Sequence, residues 1–325
     1  MALNLVFALT LVGSLAISLA ITVPLTGALI RVRANFNPKS IQLDEEGNAS
    51  AHTGPVITGF FGMLRRVKKI EGWGGLYKGI MPALIETAIL TILIGVVLNS
   101  DAIRYGGREP DTGVLGSLFY ATVALILGLP GVVITYRSIT TPYKLAFFRP
   151  LHALRVLLTP TERRRPWTIY KTPGLLFARF LHIAYKVGVL GLLKSLLLPR
   201  MLVDEEGKIA NVSPYKLAIF ICISVLSTSI LCPLDVISAK LAIQRNHAAP
   251  EYNSVNQEVE NDDVIPEEYA EYSGSSEDVI GLRNEKDPYV GLYDCFKRVV
   301  DEEGWQALYR VWWLTAIAGL GSVLS

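Results

Sequence analysis

Four ionisable side chains lie in the interior of long, mainly apolar stretches. Glu86 interrupts the run at residues 80–98, and Arg179, His182 and Lys186 interrupt the run at 174–198. An ionised group is costly to place in an apolar environment, so such residues usually contact a ligand or one another. On a helix, the i, i+3, i+7 spacing puts the three bases within about 60° of one another. A carboxylate and a basic stripe predict a site for a small carboxylate, a phosphate or a zwitterion.

A structural role explains the same residues equally well at this stage. Glu86 and Arg179 would then form a permanent ion pair, while Lys186 extends its ammonium group toward water. The sequence has no phosphate-binding glycine loop, metal-ligand cluster or nucleophile–histidine arrangement. We therefore expect no enzyme, no catalytic residue, no metal and no cofactor.

The composition places these residues in a membrane. Of the 325 residues, 51% are hydrophobic and only 18% are charged, and apolar runs near 20 residues recur along the chain. Six runs are long enough to predict spans, at about 3–23, 80–98, 114–135, 174–198, 215–233 and 308–325. We expect the last span to be short, because only about 15 residues follow Arg310 and they would rise about 22 Å.

An internal repeat precedes the second and sixth runs. Residues 57–78 align with 289–310 without a gap, and eight pairs are identical: Gly59/Gly291, Arg66/Arg298, Val67/Val299, Glu71/Glu303, Gly72/Gly304, Trp73/Trp305, Leu76/Leu308 and Tyr77/Tyr309. Apolar residues at helical spacing within each copy predict a short surface helix. The layout is therefore three hairpin-like units.

These motifs resemble the mitochondrial carrier family. The resemblance is carried by Pro233-Leu234-Asp235, Tyr289-Val290-Gly291, Glu303-Gly304 and Leu308-Tyr309-Arg310, and in the first unit by Pro24-Leu25, Glu71-Gly72-Trp73 and Leu76-Tyr77-Lys78-Gly79. It implies an all-α membrane protein with six transmembrane helices in three pseudo-symmetric two-helix repeats with short surface helices. The implied repeats are 1–104, a degenerate 105–206, and 207–325. The middle unit matches weakly, with Pro142 as the expected kink and Ile169-Tyr170-Lys171 as the expected counterpart of Leu-Tyr-Lys.

The resemblance assigns roles to several residues. Pro24, Pro142 and Pro233 would kink helices at a gate that ion pairs close, but of its acid positions only Asp235 is a carboxylate. A local contact of Asp235 with Lys240 is an equal alternative to a gating role. Glu86 and Arg179 would contact a solute near the membrane midplane, with His182 and Lys186 beside them.

The resemblance also implies bound lipid. Cardiolipin would bind at Tyr77, Lys78, Gly79, Tyr289 and Gly291, where helix starts offer backbone N–H groups to phosphate. The alternative is that Trp73, Tyr77, Trp305 and Tyr309 simply anchor helix ends at the interface.

Charge is distributed unevenly. Residues 245–288 hold twelve acidic and three basic side chains, which predicts a disordered insertion that a basic protein partner could bind. The run Arg163-Arg164-Arg165 lies near a predicted span, so we expect it to face anionic lipid rather than nucleic acid.

Two functions follow from the resemblance. The first is a transporter that moves a small anionic or zwitterionic solute across the mitochondrial inner membrane by alternating access. The second is a degenerate homologue in the outer mitochondrial membrane that acts in fusion, protein insertion or scaffolding. The incomplete gate favours the second function.

Overall fold

The computed structural model describes residues 2–38, 42–43, 49–50, 59–97, 113–145, 149–198, 213–246, 273, 278–285 and 287–324. Its helices are α1 (Ala2–Ala34), α2 (Phe60–Ile70), α3 (Gly72–Leu76), α4 (Ile80–Val97), α5 (Gly113–Thr140), α6 (Pro150–Leu157), α7 (Pro160–Arg164), α8 (Leu175–Leu197), α9 (Pro214–Ile243), α10 (Leu292–Arg298) and α11 (Trp312–Leu324). Two-residue strands, β1 (Gln42–Leu43) and β2 (Ala49–Ser50), pair antiparallel.

Four short segments of the described chain are wound differently from an α-helix. Helix α8 becomes a π-helix over Ala184–Leu190, and α10 continues as a π-helical turn over Val299–Glu303. Two 3-10 helices, Pro166–Lys171 and Trp305–Tyr309, precede α8 and α11.

A helix lies at each of the six predicted apolar stretches. Four segments of the described chain are long and apolar enough to cross a membrane: Ile17–Ala34 within α1, and the whole of α5, α8 and α9. Helices α4 and α11 occupy the other two stretches, with 18 and 13 residues. Large apolar side chains such as Phe119 and Leu226 are 67% and 71% exposed, as expected for helices whose outer faces contact lipid.

Two helices are longer than the apolar runs predicted, because proline does not end them. Pro24 lies inside α1 and Pro233 lies inside α9, and the helices continue to Ala34 and Ile243. The third helix with an internal proline is α5, and the residue is Pro130. Pro142 was predicted for this position, and that prediction is wrong because α5 ends at Thr140.

Short surface helices pack against the ends of the long ones. Helix α2 buries Phe60, Met63 and Val67 on one face, and these side chains contact Val32 of α1 in a common apolar cluster. A second cluster joins α5, α8, α9 and the α10 region through residues such as Val133, Leu175, Ile237 and Val299. In the middle unit the surface helix α6 has only eight residues.

The end of the predicted acidic insertion is packed against the helices. Val279 and Ile280 are 7% and 5% exposed within the cluster of α1 and α2. The Arg66 side chain donates hydrogen bonds to the carbonyls of Asp278 and Val279. The prediction of disorder is therefore wrong for residues 278–285, because they supply an apolar pair to a core. Residues 247–272 and 274–277 lie outside the described residues.

Candidate functional site

A cluster of polar side chains lies between the long helices. Its centre is Asp235 on α9, whose carboxylate lies 3.2 Å from Nε2 of His182 on α8 and 3.2 Å from Nη2 of Arg33 on α1. Thr315 on α11 accepts a 2.7 Å hydrogen bond from Arg33 and donates a 3.4 Å bond to Asp235. The carboxylate thus joins side chains from α1, α8 and α11.

The partners of Asp235 differ from the two that the sequence suggested, which were the nearby Lys240 and a base at the gate position of the family. Its predicted local partner, Lys240, binds Glu303 instead, at 2.6 Å. The residue five positions after Pro24 is Leu29, and Arg33, one turn further along α1, supplies the cation. Arg33 was missed because the family spacing directs attention to Leu29.

Among the cations of this cluster, Arg179 has the most buried hydrogen-bond donors without a partner. Its guanidinium carbon lies 5.2 Å from the ring centroid of Tyr136 on α5, and it interacts electrostatically with Asp235 and Glu86. Its Nε and Nη2 atoms are buried and have no hydrogen-bond partner in the described part of the protein. Buried donors are usually satisfied, so two free guanidinium donors indicate a place where an anion can bind.

Glu86 lies against the backbone of α5. A Cβ atom on Gly131 would come within 2.5 Å of Glu86 Cγ, so the glycine provides the space for this carboxylate. Glu86 and Arg179 form no direct ion pair, which leaves the predicted permanent pair unsupported. Glu86 lines a cavity of about 810 Å³ between α4, α5 and α6, whose other lining residues include Tyr77, Lys78 and Gly79.

Lys186 does not join the cluster through a contact. It is exposed and lies in the π-helical segment Ala184–Leu190. The π-helix keeps a side chain four residues after His182 on nearly the same side of α8, and the Lys186 charge acts on His182. The structure therefore brings His182 and Asp235 into contact, and it places Glu86 within electrostatic range of Arg179 and Lys186 within electrostatic range of His182.

Three buried ion pairs occur where long helices end. The base lies seven residues after an internal proline in each case, and the pairs are Arg31–Glu71 at 2.8 Å, Arg137–Glu162 at 2.6 Å and Lys240–Glu303 at 2.6 Å. Each links a long helix to the surface segment that follows it. The pairing of these bases, and the role of Glu162, were missed by the sequence reasoning, although the proline-to-base spacing of seven is visible at Pro24, Pro130 and Pro233.

The three carboxylates have further partners. Lys78 lies 2.5 Å from Glu71, and Arg310 lies 2.8 Å from Glu303. Lys171 is exposed in the middle unit, and Asn246 takes its place by donating from its backbone N and its Nδ2 to Glu162. Burial opposes ionisation of Glu162, but the hydrogen bonds and charge of Arg137, with those of Asn246 and Thr159, lower its pKa.

Three tyrosine hydroxyls bind to the carbonyls that the prolines leave free. The bonds run from Tyr77 to Ala20 at 3.2 Å, from Tyr170 to Ile126 at 3.0 Å and from Tyr309 to Ser229 at 3.1 Å. Each acceptor lies four residues before an internal proline, and a proline has no N–H to donate to that carbonyl. Tyr170 therefore takes the position predicted for it, with Pro130 rather than Pro142 as its partner.

The residues predicted to bind lipid have structural contacts of their own. The Lys78 ammonium binds Glu71 and the Thr141 carbonyl. Gly79 has a φ of +89°, and a Cβ there would meet Ile139 at 2.6 Å, so glycine allows α4 to approach α5. Tyr289 is 4% exposed and its backbone binds Gln244, while Gly291 precedes α10. A lipid phosphate at these positions would have to bind mainly through backbone N–H groups.

The fold and these contacts define a helical membrane protein with internal ion pairs. The sequence model of the family described as mitochondrial carrier protein matches residues 213–323. That match covers about the last third of the sequence, and this part of the chain is therefore similar to the mitochondrial carrier family. No curated protein matches the chain. The similarity and the apolar helices support a carrier-like protein of a mitochondrial membrane.

Proposed function

We propose that this protein transports a small anionic or zwitterionic solute across the mitochondrial inner membrane by alternating access. All six predicted stretches would cross the membrane, as three repeats at 1–104, 105–206 and 207–325. The observation that carries this proposal is Arg179, a cation between the helices with two unsatisfied donors. Asp235 and His182 lie beside it, and Glu86 is within electrostatic range.

The repeated contacts supply the elements that such a mechanism needs. Each of α1, α5 and α9 has an internal proline, a base seven residues later and a carbonyl held by tyrosine. Each long helix is thereby fixed to its own surface segment. Rigid units that rock against one another around a central site are how alternating access operates in transporters built from repeats.

The chemistry of the cluster sets the class of solute. A carboxylate or phosphate would accept hydrogen bonds from Nε and Nη2 of Arg179, which present parallel donors. A zwitterion could in addition place its ammonium group toward Glu86. A neutral sugar or an apolar molecule would leave the Arg179 charge uncompensated.

A thermal-stability screen of the purified protein tests this assignment. Inorganic phosphate, malate and glutamate are the probes, and we expect at least one to raise the melting temperature. A ligand at 100 times its Kd stabilises the bound state by about 2.7 kcal/mol. The shift should vanish in Arg179→Gln and persist in Lys297→Gln, a control that removes an exposed charge from α10. An equal shift in Arg179→Gln, or none with any probe, would exclude the proposed site.

The outer-membrane alternative keeps one supporting observation. Positions two and five after the internal prolines are Thr26 and Leu29, Val132 and Thr135, and Asp235 and Ser238. Five of these six side chains cannot ionise, so the ion-pair gate implied by the resemblance is absent. A homologue without transport, acting in fusion, protein insertion or scaffolding, would need no gate.

The location of the acidic residues 245–288 distinguishes the two functions. An antibody against this stretch would be used after protease treatment of intact mitochondria, of swollen mitoplasts and of detergent-treated organelles. The inner-membrane proposal expects protection until the inner membrane is opened. Cleavage in intact mitochondria would favour the outer-membrane alternative.

A further inference from the structure

His182 is the histidine of the polar cluster, and its ring contacts a carboxylate. Nε2 of His182 lies 3.2 Å from Oδ1 of Asp235, while Oδ2 of the same carboxylate lies 3.2 Å from Nη2 of Arg33. At this distance from a carboxylate, a neutral imidazole holds its hydrogen on Nε2, so Nδ1 keeps a lone pair that can accept a proton. The His182 side chain is 22% exposed, so a proton can reach it from water.

Cations outnumber carboxylates around this imidazole. The three cations that act on it electrostatically are Arg33 on α1 and Arg179 and Lys186 on α8. From α9 it faces the carboxylate of Asp235. Further titratable groups interact with Arg33, Arg179 or Asp235, and they are Glu86 on α4, Tyr136 on α5 and Cys232 on α9. Among the described residues, three cations and two carboxylates leave one excess positive charge while the imidazole is neutral.

A solute anion at Arg179 changes this balance. The anion accepts hydrogen bonds from the two free donors of Arg179, and its charge offsets the repulsion between the guanidinium and a protonated His182. A proton therefore binds more tightly when the anion is present, and by linkage the anion binds more tightly when His182 is protonated. Histidine is the side chain whose charge changes most readily near neutral pH, so the two binding events can occur together under physiological conditions.

We propose that His182 takes up a proton with each solute anion and releases it on the other side of the membrane, so that a pH gradient drives transport. This inference rests on the proposed transport function and names the proton as its second substrate. In the loaded site the proton forms an N–H bond at Nδ1, and that bond breaks when the anion leaves Arg179. His182 returns to its neutral form in each cycle, so no group of the protein is consumed.

Calorimetry of the purified protein measures the protons that are taken up with the solute. Phosphate, malate and glutamate are titrated at pH 7 in two buffers that differ in their enthalpy of ionisation. We expect the wild type to take up protons with the solute that binds, up to one proton for each molecule bound. The wild type is compared with His182→Gln, whose amide can still donate to Asp235, and with His182→Lys, whose charge is permanent.

Both variants should lose the proton uptake that accompanies each bound solute. The matched control is His152→Gln, which replaces a half-buried histidine of α6 and should take up as many protons as the wild type. Protons that the solute itself exchanges are the same in all of these proteins, so the differences between them report on His182.

Uptake into liposomes tests whether the proton is transported. The membrane potential is held at zero with potassium and valinomycin, and the outside is made one pH unit more acidic than the inside. A gradient of one pH unit can sustain an approximately tenfold accumulation of solute at one proton per solute. Wild type and His152→Gln should accumulate solute only when the gradient is present. The His182 variants alter the solute site, so their measure is the ratio of uptake with and without the gradient, which should fall to one.

Several results would overturn the proposal. One is solute binding by the wild type without proton uptake, and another is equal proton uptake in His182→Gln. Loss of solute binding in both His182 variants would identify His182 as a required solute contact rather than a proton carrier. Wild-type protein that exchanges solute at equal pH but ignores the gradient would overturn the coupling and leave the transport proposal intact. Failure of the wild type to bind or exchange any probe would remove both.

Discussion

Single residues complete the helices that contain prolines. Proline removes one helical hydrogen bond and leaves a carbonyl without a donor, which is costly in an apolar environment. Tyr77, Tyr170 and Tyr309 each supply the missing donor from a different segment of the chain. The proline and the tyrosine are therefore one unit, and neither residue can be interpreted alone.

The Tyr309 hydroxyl and Pro233 should be energetically coupled. Tyr309→Phe leaves the Ser229 carbonyl unsatisfied, and we expect a loss of about 1–3 kcal/mol. In a Pro233→Ala background the alanine N–H can donate to Ser229, so the same change should cost much less. Thermal unfolding of the four proteins of this double-mutant cycle measures the coupling.

Tyr293→Phe is the control for this cycle, because Tyr293 is 75% exposed. It should have no effect in either background. Equal costs of Tyr309→Phe with and without Pro233 would contradict the assigned role of the hydroxyl.

Whole elements are joined by the buried ion pairs. Glu162 illustrates this best, because it accepts two hydrogen bonds from Arg137 of α5 at 2.6 and 2.9 Å. It also completes a capping box at the start of α7 with Thr159. One carboxylate thus fixes the end of α5, the start of α7 and, through Asn246, the residues after α9.

The pH dependence of stability should reveal this carboxylate. Its pKa is lowered in the folded protein, so the unfolded chain binds the proton more tightly and acid favours unfolding. The contribution of Glu162 is present above its unfolded pKa of about 4.3 and is lost as the pH falls through the lower folded value. Glu162→Gln should melt several degrees lower at pH 7, since breaking a buried pair costs about 3–5 kcal/mol.

The comparison needs melting curves from pH 7 to pH 3 for both proteins. The difference between wild type and Glu162→Gln should shrink as the pH falls below about 4.3. Asp301→Asn, which alters an exposed carboxylate, should follow the wild type throughout. A constant difference at all pH values would contradict the assigned ionisation.

Helix positions were predictable from the sequence, whereas several helix ends and the middle unit were not. Apolar runs located all six long helices, because apolarity over about 20 residues depends on local composition alone. The ends of α1 and α9 were missed because the apolar runs stop near Pro24 and Pro233, whereas the helices continue through these prolines. Pro142 lies after the apolar run at 114–135, as Pro24 and Pro233 lie at the ends of theirs, whereas Pro130 lies inside that run and is marked only by the base seven residues later.

The candidate site was only partly predictable for a similar reason. Arg179, His182 and Glu86 were found because ionisable residues are rare in apolar runs. Arg33 and Thr315 were missed, since their roles depend on which helix faces Asp235.

In the molecule as a whole, the buried ion pair and the tyrosine–carbonyl hydrogen bond each occur three times around a central polar cluster. Each recurrence fixes a long helix to its neighbouring surface segment, and the cluster lies where α1, α8, α9 and α11 meet. Arg33 with Asp235 and His182 provides ion pairs across units, although the positions implied by the resemblance are largely uncharged. This arrangement is consistent with transport through a site between the units.

Exchange by the purified protein in liposomes is the most direct test of the transport proposal. Liposomes loaded with phosphate, malate or glutamate would be mixed with the same radiolabelled compound outside. We expect uptake of at least one compound, lost at least tenfold in Arg179→Gln, because a charged hydrogen bond contributes about 1.5–3 kcal/mol. Lys297→Gln should transport normally. Folded wild-type protein that exchanges none of the three compounds, or Arg179→Gln protein that exchanges as fast as the wild type, would contradict the proposal.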